Sequence, residues 1–280
     1  MEEFPLAKFA VFGHPVAHSK SPWIHQQFAQ QFALQLEYQA LELPLEGFAQ
    51  AALQCFTQHD FLGANVTVPF KEQAFALCQQ LTPEAQAAGA VNTLVRQPEG
   101  LLGHNTDGLG LVADLEHNCG LVLAGKRILL LGAGGAVRGV IGPLLAAGAQ
   151  LVLSNRTLAK AEQLAQQMSA FAPQAGSIQA LPLEALGSGY DYIINGTSAS
   201  LSGQAMALDP LAWQGVQASY DMMYGPGLTA FNQQAQAAGV AQQFDGLGML
   251  VEQAALAFAC WWQRQPQTQQ VLQQLRQQLG

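Results

Sequence analysis

The chain has 280 residues, half of them hydrophobic, so it can build sizeable cores in one or two domains. Its 11 lysines and arginines stand against 19 aspartates and glutamates, which gives a formal net charge of -8 at pH 7. This acidic balance argues against a general electrostatic hold on nucleic acid or on an anionic membrane.

The cysteine spacing shows no metal-binding pattern. The four cysteines lie far apart and form neither a CxxC motif nor a Cys/His cluster; they are Cys55, Cys78, Cys119 and Cys260. This usage predicts small buried thiols in a reducing cytosol.

No segment has the pattern of a secretory signal or of a membrane span. The acidic start lacks an apolar run, and the longest apolar stretch, residues 128–153, is interrupted by Arg138, Pro143 and several glycines. The chain is therefore expected to be a soluble cytoplasmic protein that does not bind membranes.

The first half of the chain alternates the patterns of strands and helices. Helices are expected from Ser21-Pro22, with the Ser21 hydroxyl as a simple cap, and over residues 70–81. Strands are expected over residues 9–12, 38–43 and 64–68. This rhythm predicts a mostly parallel sheet.

A second alternation of strands and helices begins at residue 127. A strand over residues 127–131 leads into a glycine-rich turn and a helix to Ala147, with Gly148 as its terminator. Further strands are expected over residues 150–154, 192–195 and 219–222.

Two helices are expected near the end of the chain. Residues 247–262 are apolar around most of the helix circumference, with Glu252 as the only charge, so this helix is expected between layers or domains. The glutamine-rich tail from Gln263 keeps apolar residues at helical spacing, which predicts a solvated amphipathic helix.

The segment Gly132-Ala133-Gly134-Gly135-Ala136 directly follows a predicted strand and opens a predicted helix. Such a turn presents backbone N–H groups to a pyrophosphate, and the positive end of the helix adds to the attraction. A merely tight turn is the alternative, but the flanking strand and helix favour a dinucleotide site. Val137 stands where a small residue is usual and is expected to change the packing of helix on strand.

The next strand favours NADP over NAD. An NAD site usually has an acidic residue about 20 residues after the first glycine, whereas this chain has Asn155-Arg156-Thr157 followed by Lys160. Arg156 can pair with a 2′-phosphate, Lys160 adds a second charge, and Thr157 offers a hydroxyl. Both cations are expected in a first helical turn, where they oppose the helix dipole. A solvated helix start is the alternative.

Polar residues of the first half fall in four segments: Ser19-Lys20-Ser21-Pro22, Asn65-Val66-Thr67-Val68-Pro69-Phe70-Lys71, Ala90-Val91-Asn92-Thr93 and Gly103-His104-Asn105-Thr106-Asp107-Gly108. The two serines can cap a helix or bind a carboxylate. Asn65, Thr67 and Pro69 are expected on one strand face, with Lys71 at the next helix start. An exposed surface lysine and an ordinary turn aspartate are the alternatives for Lys71 and Asp107.

These segments, in this order, resemble the motifs of the shikimate dehydrogenase family. The resemblance takes in the glycine-rich segment, Asn-Arg-Thr at 155–157 and Asp-Gly-Leu-Gly-Met-Leu-Val at 245–251, and it covers essentially the whole chain. It implies an α/β fold with a mixed or mostly parallel substrate domain, a Rossmann-type NADP-binding domain and a cleft between them. The implied activity is reversible NADPH-dependent reduction of 3-dehydroshikimate to shikimate in aromatic amino acid biosynthesis.

The resemblance also assigns roles to individual residues, and none of them is a metal ligand. It implies that Lys71 and Asp107 are the catalytic pair, and that the two serines hold the substrate carboxylate. Substrate contacts are implied for Ser19, Ser21, Thr67, Asn92, Tyr224 and Gln253. Cofactor contacts are implied for Gly132, Ala133, Gly134, Gly135, Ala136, Asn155, Arg156, Thr157, Lys160, Met222 and Gly246.

Three positions depart from the family pattern. His14 stands where relatives often have asparagine, Lys160 where arginine is frequent, and Ser200 where a glycine is usual. All three are expected on the cofactor side, where they can lower cofactor affinity while leaving the substrate site intact.

Two other functions remain open from the sequence. A quinate/shikimate dehydrogenase would use similar residues but often prefers NAD, and the pair of Arg156 and Lys160 argues against it. A non-catalytic NADPH-binding regulator would have no reason to keep Lys71 and Asp107 together with the substrate contacts.

The expected domain order follows from Gln253, which lies on an apolar helix yet is implied to touch the substrate. The chain is therefore expected to return to its first domain after Asp245. The substrate domain would consist of residues 1–107 and 246–280, and the NADP domain of residues 108–245. The expected partners are small molecules, with the protein a monomer or a homodimer.

Overall fold

The computed structural model describes residues 6–172 and 177–279. The chain divides into two compact units: unit 1 takes in Met1–Asp107 and Val251–Gln273, and unit 2 takes in Gly108–Leu250 and Gln274–Gly280. Unit 1 is thus discontinuous in sequence. The chain returns to it at Val251, slightly later than the expected residue 246, and the end of the tail groups with unit 2.

Unit 1 is built on a mixed sheet. Its strands are β1 (Ala7–Gly13), β2 (Leu36–Glu42), β3 (Phe61–Val66), β4 (Gln80–Leu81), β5 (Thr93–Gln97) and β6 (Gly100–His104). Its helices up to residue 88 are α1 (Ser21–Gln31), α2 (Phe48–Gln58), α3 (Lys71–Leu77) and α4 (Pro83–Ala88). The strand order is β2-β1-β3-β5-β6-β4. Only β5 runs antiparallel to its neighbours, which confirms the expected mixed, mostly parallel α/β sheet.

The reversed direction of β5 brings several chain segments to one edge of this sheet. Asn65, near the end of β3, lies opposite Thr93, the first residue of β5. Thr93 in turn lies opposite His104, the last residue of β6. Phe12, near the end of β1, lies opposite Val66 at the end of β3. The loops that follow β1, β3 and β6 therefore meet the loop that precedes β5.

Helix α2 shows how the core of unit 1 forms. Its buried residues, Phe48, Ala52, Cys55 and Phe56, recur at the three- and four-residue spacing that places side chains on one helix face. Phe48 stacks on Phe70 with ring centroids 4.5 Å apart, which ties α2 to the segment before α3. The buried cluster continues into β1, β3 and β6.

The expected helix over residues 70–81 is too long. Helix α3 ends at Leu77, because the backbone of Cys78 is extended at φ -80° and ψ 138°. Gln80 and Leu81 then pair in parallel with β6 as the short strand β4. Apolar spacing alone did not reveal this change, since the same residues suit a helix face and a strand.

Unit 2 has the strand order of a doubly wound nucleotide-binding fold. Its strands are β7 (Arg127–Leu131), β8 (Gln150–Ser154), β9 (Ile178–Ala180), β10 (Tyr192–Asn195), β11 (Ala218–Asp221) and β12 (Gln242–Asp245). The remaining helices are α5 (Asp107–Ala113), α6 (Gly135–Ala146), α7 (Leu158–Met168), α8 (Ala230–Ala237), α9 (Leu247–Trp262) and α10 (Gln269–Leu279). The order β12-β11-β10-β7-β8-β9, parallel throughout, is that of a Rossmann fold and confirms the expectation.

Val137 packs tightly at the start of α6. Its side chain is fully buried. A Cβ at Gly132 would lie 3.0 Å from its Cγ2, and one at Gly196 would lie 2.4 Å from the same atom. The two glycines therefore make room for the valine that replaces a small residue in the glycine-rich segment.

Helix α10 is amphipathic, but one face is packed. Val271 is 2% exposed and Leu275 is fully buried, so the predicted amphipathic helix packs its apolar side and exposes the other. Within unit 2, the Arg276 guanidinium donates to both carboxylate oxygens of Asp245, with Nη2 2.6 Å from Oδ1. Asp245 also accepts from the backbone N–H of Leu247 at the start of α9. The ion pair thus ties the end of the chain to the turn before α9.

Within the two described ranges, no helix combines the length and the apolar character needed to cross a membrane. The four cysteines are free. The side chains placed by the structure include no group of histidine, cysteine and acidic residues able to hold a metal ion.

A glycine in β3 makes room for an indole, and this generates a stability prediction. A Cβ at Gly63 would lie 2.2 Å from Nε1 of Trp261 and 2.7 Å from the carbonyl oxygen of Leu94. The indole donates to that same carbonyl over 3.0 Å. Gly63→Ala should displace the indole and lower the free energy of unfolding by about 2 kcal/mol, a typical cost of overpacking.

The matched control is Gly142→Ala in helix α6. The nearest atom to a Cβ at Gly142 is the Met168 methyl, 3.9 Å away, so the added methyl fits. This variant should be about as stable as the parent, because the helix propensity of alanine offsets the cost of a Cβ directly before Pro143. Urea unfolding of both variants measures the difference, and equal stability of Gly63→Ala and the parent would contradict the prediction.

Candidate active site

Lys71 and Asp107 form an ion pair in unit 1. Lys71 begins α3 shortly after β3, and Asp107 follows β6, so the shared sheet edge brings them together. Lys71 Nζ lies 2.7 Å from Asp107 Oδ2. The two side chains are 28% and 16% exposed, so the pair is largely shielded from bulk water but a small molecule can still contact it from solvent.

Asn92 joins this ion pair to a second amide. It is 2% exposed. Its Nδ2 lies 2.9 Å from Asp107 Oδ1, 2.9 Å from Thr106 Oγ1 and 3.3 Å from Gln253 Oε1. The structure therefore brings Lys71, Asp107, Asn92 and Gln253 into one polar cluster.

The two serines lie at the start of α1, but Ser21 is not its cap. Ser21 is the first helical residue, Lys20 precedes it in a helical conformation, and no side chain caps the helix. The backbone N–H of Ser21 instead donates to Ser19 Oγ over 3.3 Å. Burial raises the pKa of the nearby Tyr38 phenol, and the Ser21 hydroxyl opposes that rise. The predicted capping role of Ser21 is thus wrong, because a cap has to stand one residue before the helix.

Thr67 lies in a turn instead of a strand. Because β3 ends at Val66, the expected strand face shared by Asn65, Thr67 and Pro69 does not exist. The backbone N–H of Thr67 donates to the carbonyl of Phe12, and its carbonyl accepts from the N–H of Phe70. These two bonds place the half-buried Thr67 beside the end of β1.

The structure also contains a buried polar group that sequence reasoning missed. Asn65 Oδ1 lies 2.7 Å from the Tyr38 hydroxyl and 3.1 Å from Nε2 of His25. Burial lowers the pKa of His25 to about 3, so the ring is neutral at pH 7. A signal was present in the sequence, since His25 shares the apolar face of α1 with Ile24 and Phe28.

In unit 2, the glycine-rich turn fits a pyrophosphate. Gly134 precedes α6 with an extended backbone and no side-chain cap, so the first N–H groups of the helix have no side-chain partner there. A Cβ at Gly134 or Gly135 would meet no atom within 4 Å, which shows open space before the helix. The turn follows β7, whose neighbour β10 marks the reversal of strand order where such folds bind ligands.

The cations proposed for a 2′-phosphate follow β8. Arg156 and Lys160 are exposed, and neither side chain pairs with an acid in the part of the chain that the structure describes. Asn155 Nδ2 donates to the carbonyl of Thr157 over 3.0 Å. Thr157 stands before α7, so only Lys160 lies in its first turn. The expectation that Arg156 is helical is therefore wrong.

Met222 and Gly246 lie against each other. A Cβ at Gly246 would be 2.2 Å from the carbonyl oxygen of Met222, so only glycine fits there. The Gly246 N–H donates to the carbonyl of Met223. Tyr224 follows in the same loop, and partial burial raises the pKa of its phenol.

The three departures from the family pattern have different surroundings. His14 lies in unit 1, where its Nδ1 donates to the carbonyl of Leu43, so the structure does not group it with the cofactor residues of unit 2. The Ser200 hydroxyl donates to the buried Asp221 over 2.6 Å. Lys160 is exposed on α7.

Three family models match the chain in order. Residues 11–94 match the shikimate dehydrogenase substrate binding domain. Residues 115–202 match shikimate / quinate 5-dehydrogenase, and residues 246–276 match the shikimate 5′-dehydrogenase C-terminal domain.

Full-length relatives agree with these matches. A shikimate dehydrogenase (NADP(+)) from Aeromonas salmonicida is 52% identical over 98% of this chain and 99% of its own. The crystal structure of an Ael1 enzyme from Pseudomonas putida is 42% identical, with a TM-score of 0.90 over 96% of this chain and 98% of its own. That of shikimate 5-dehydrogenase from Thermus thermophilus with NADP(H) and shikimate is 34% identical, with a TM-score of 0.85 over 98% and 100%. The chain belongs to the shikimate dehydrogenase family.

Proposed function

We propose that this protein catalyses the reversible NADPH-dependent reduction of 3-dehydroshikimate to shikimate in aromatic amino acid biosynthesis. The observation that carries the proposal is the Lys71–Asp107 pair at 2.7 Å, joined through Asn92 to Gln253, in a chain similar to NADP(+) shikimate dehydrogenases. We assign substrate binding to unit 1 and NADP binding to unit 2.

The substrate contacts follow from the chemistry of the side chains. A carboxylate is held well by hydroxyls at a helix start, and Ser19 and Ser21 stand at the start of α1. Ring hydroxyls both donate and accept hydrogen bonds, as do the amides of Asn92 and Gln253. We assign the remaining substrate contacts to Thr67 and Tyr224.

Lys71 and Asp107 would handle the proton. A carbonyl that receives hydride develops alkoxide charge, and a cation able to donate a proton stabilises that charge. Lys71 Nζ is such a cation, and Asp107 Oδ2, at 2.7 Å, orients it and shares its proton. Asn92 Nδ2 holds the other carboxylate oxygen of Asp107, which keeps the carboxylate from turning away.

NADPH supplies the hydride when it is bound. The glycine-rich turn before α6 would hold its pyrophosphate through backbone N–H groups. Arg156 and Lys160 would hold the 2′-phosphate, with Asn155 and Thr157 beside them. Met222 and Gly246 would complete the cofactor contacts.

A side-by-side assay tests the proposed reaction. The purified protein should reduce NADP with shikimate much faster than with quinate, as expected of a chain similar to NADP(+) shikimate dehydrogenases. Comparable rates with quinate would favour a quinate/shikimate dehydrogenase, and no turnover with either would favour a non-catalytic NADPH-binding regulator.

The monomeric or homodimeric state and the cytoplasmic location stay predictions of the sequence.

The role of Lys71 gives the first kinetic prediction. Lys71→Ala should lower kcat about a hundredfold or more, because it removes charge stabilisation that is needed only in the transition state. Shikimate binding should stay nearly unchanged, since the serines hold the carboxylate. Steady-state kinetics and a direct binding titration measure the two quantities.

Lys126→Ala is the matched control for that experiment. Lys126 Nζ pairs with Asp191 over 2.9 Å in unit 2, and its side chain is 28% exposed, as is that of Lys71. The control should keep the parent kcat. Near-parent kcat for Lys71→Ala would remove Lys71 from the mechanism, and lost binding at normal kcat would make it a substrate anchor.

The cofactor preference gives the second kinetic prediction. Arg156→Ala should raise KM for NADP far more than KM for NAD, because losing a charged hydrogen-bond partner costs about 1.5–3 kcal/mol. NAD lacks the 2′-phosphate and is therefore the internal control. An equal loss with both cofactors would show that Arg156 has another role.

A further inference from the structure

The segment Ala90-Val91-Asn92-Thr93 contains a polar residue that the proposed chemistry does not use. Thr93 is fully buried at the first position of β5. Its Oγ1 lies 3.1 Å from Asn65 Nδ2 and 3.0 Å from Asn92 Oδ1. A buried hydroxyl between two buried amides can fix the orientation of one by that of the other.

The orientation of Asn65 is set by a partner that can only accept. Asn65 Nδ2 lies 3.2 Å from the backbone carbonyl of Asn92, so the amide nitrogen has to face that side. Asn65 Oδ1 then faces the hydroxyl of Tyr38 and Nε2 of His25, at 2.7 and 3.1 Å. Because Asn65 Oδ1 can only accept, Nε2 of the neutral His25 ring carries the proton and donates to it.

Thr93 passes this orientation on to Asn92. Its oxygen accepts from Asn65 Nδ2, so its own proton is free to point at Asn92 Oδ1. The backbone N–H and the hydroxyl of Thr106 face the same oxygen over 2.9 and 3.2 Å. With Oδ1 facing three donors, Asn92 Nδ2 has to face Asp107 Oδ1, which leaves Asp107 Oδ2 for Lys71.

We infer that Thr93 is a positioning residue: its hydroxyl couples the fixed Asn65 amide to Asn92 and so holds Asn92 Nδ2 on Asp107. This inference rests on the proposed roles of Lys71, Asp107 and Asn92. Thr93 itself touches no reacting atom, because it is fully buried behind Asn92.

Two substitutions at the same position separate the hydroxyl from the shape of the side chain. Thr93→Val keeps the branched shape and removes the hydroxyl, and it should lower kcat/KM for shikimate about five- to tenfold, the range of one lost hydrogen bond. Thr93→Ser keeps the hydroxyl and should recover most of that loss. KM for NADP should stay at the parent value in both variants. Equal damage by valine and serine, or a rise in KM for NADP, would overturn the inference.

A double-mutant cycle with Asn92→Ala tests whether Thr93 acts through Asn92. If it does, Thr93→Val should cause no further loss of kcat/KM in the Asn92→Ala background. Additive losses would overturn the inference. If Asn92→Ala keeps the parent kcat/KM, the proposed site is wrong and the inference falls with it. If Asn92→Ala is damaged and Thr93→Val is not, only the inference fails.

Thr93→Ala keeps the test decisive if Thr93→Val does not fold. It removes the same hydroxyl, with its bonds to Asn65 and Asn92, and should also lower kcat/KM for shikimate about five- to tenfold. Thr93→Ser, which likewise lacks the methyl group but keeps the hydroxyl, is the matched control and should stay near the parent. Equal kcat/KM of the alanine and serine variants would overturn the inference.

Discussion

The antiparallel placement of β5 between β3 and β6 is the constraint on which the rest of unit 1 depends. In an all-parallel sheet the residue before a strand and the residue after its neighbour lie at opposite edges. Reversing β5 moves Asn92, which precedes it, to the edge where β3 and β6 end. Lys71 and Asp107 arrive at that edge from those two strands. Three distant segments of sequence thereby supply one polar cluster.

Burial then decides what the cluster can do. Amides removed from water cost free energy unless their donors and acceptors are satisfied, so each buried amide accepts only a few orientations. Asn65 meets this condition with both ends of its amide. Its Nδ2 donates to the backbone carbonyl of Asn92, and its Oδ1 accepts from the neutral His25. The glycine-rich turn of unit 2 differs from this cluster, because it provides open space and backbone N–H groups instead of side chains held in one orientation. One unit is suited to orienting a reactive group and the other to receiving an anion.

Much of this architecture could be predicted from the sequence, and the exceptions have physical causes. Strands β7, β8 and β10 and helix α9 have the predicted bounds, because glycines and abrupt changes of periodicity mark their ends. The helix prediction for residues 70–81 was too long because their apolar spacing suits both a helix and a strand, and Gln80–Leu81 form the strand β4 beside β6. Lys71, Asp107 and Asn92 could be named from motifs. Tyr38 and His25 could not be assigned to the site from motifs, since only the pairing of β1 with β2 and the packing of α1 bring their side chains to Asn65.

The discontinuity of unit 1 limits how this protein can be recombined with its relatives. A chimera that exchanges unit 2 needs one junction beside Asp107, at the start of α5, and a second between Leu250 and Val251, inside α9. The second junction falls inside a helix instead of a loop. A donor segment ending at Leu250 would also bring its own Asp245 without the Arg276 that binds it here. Gene shuffling in this family is therefore best designed to carry residues 274–280 along with 108–250.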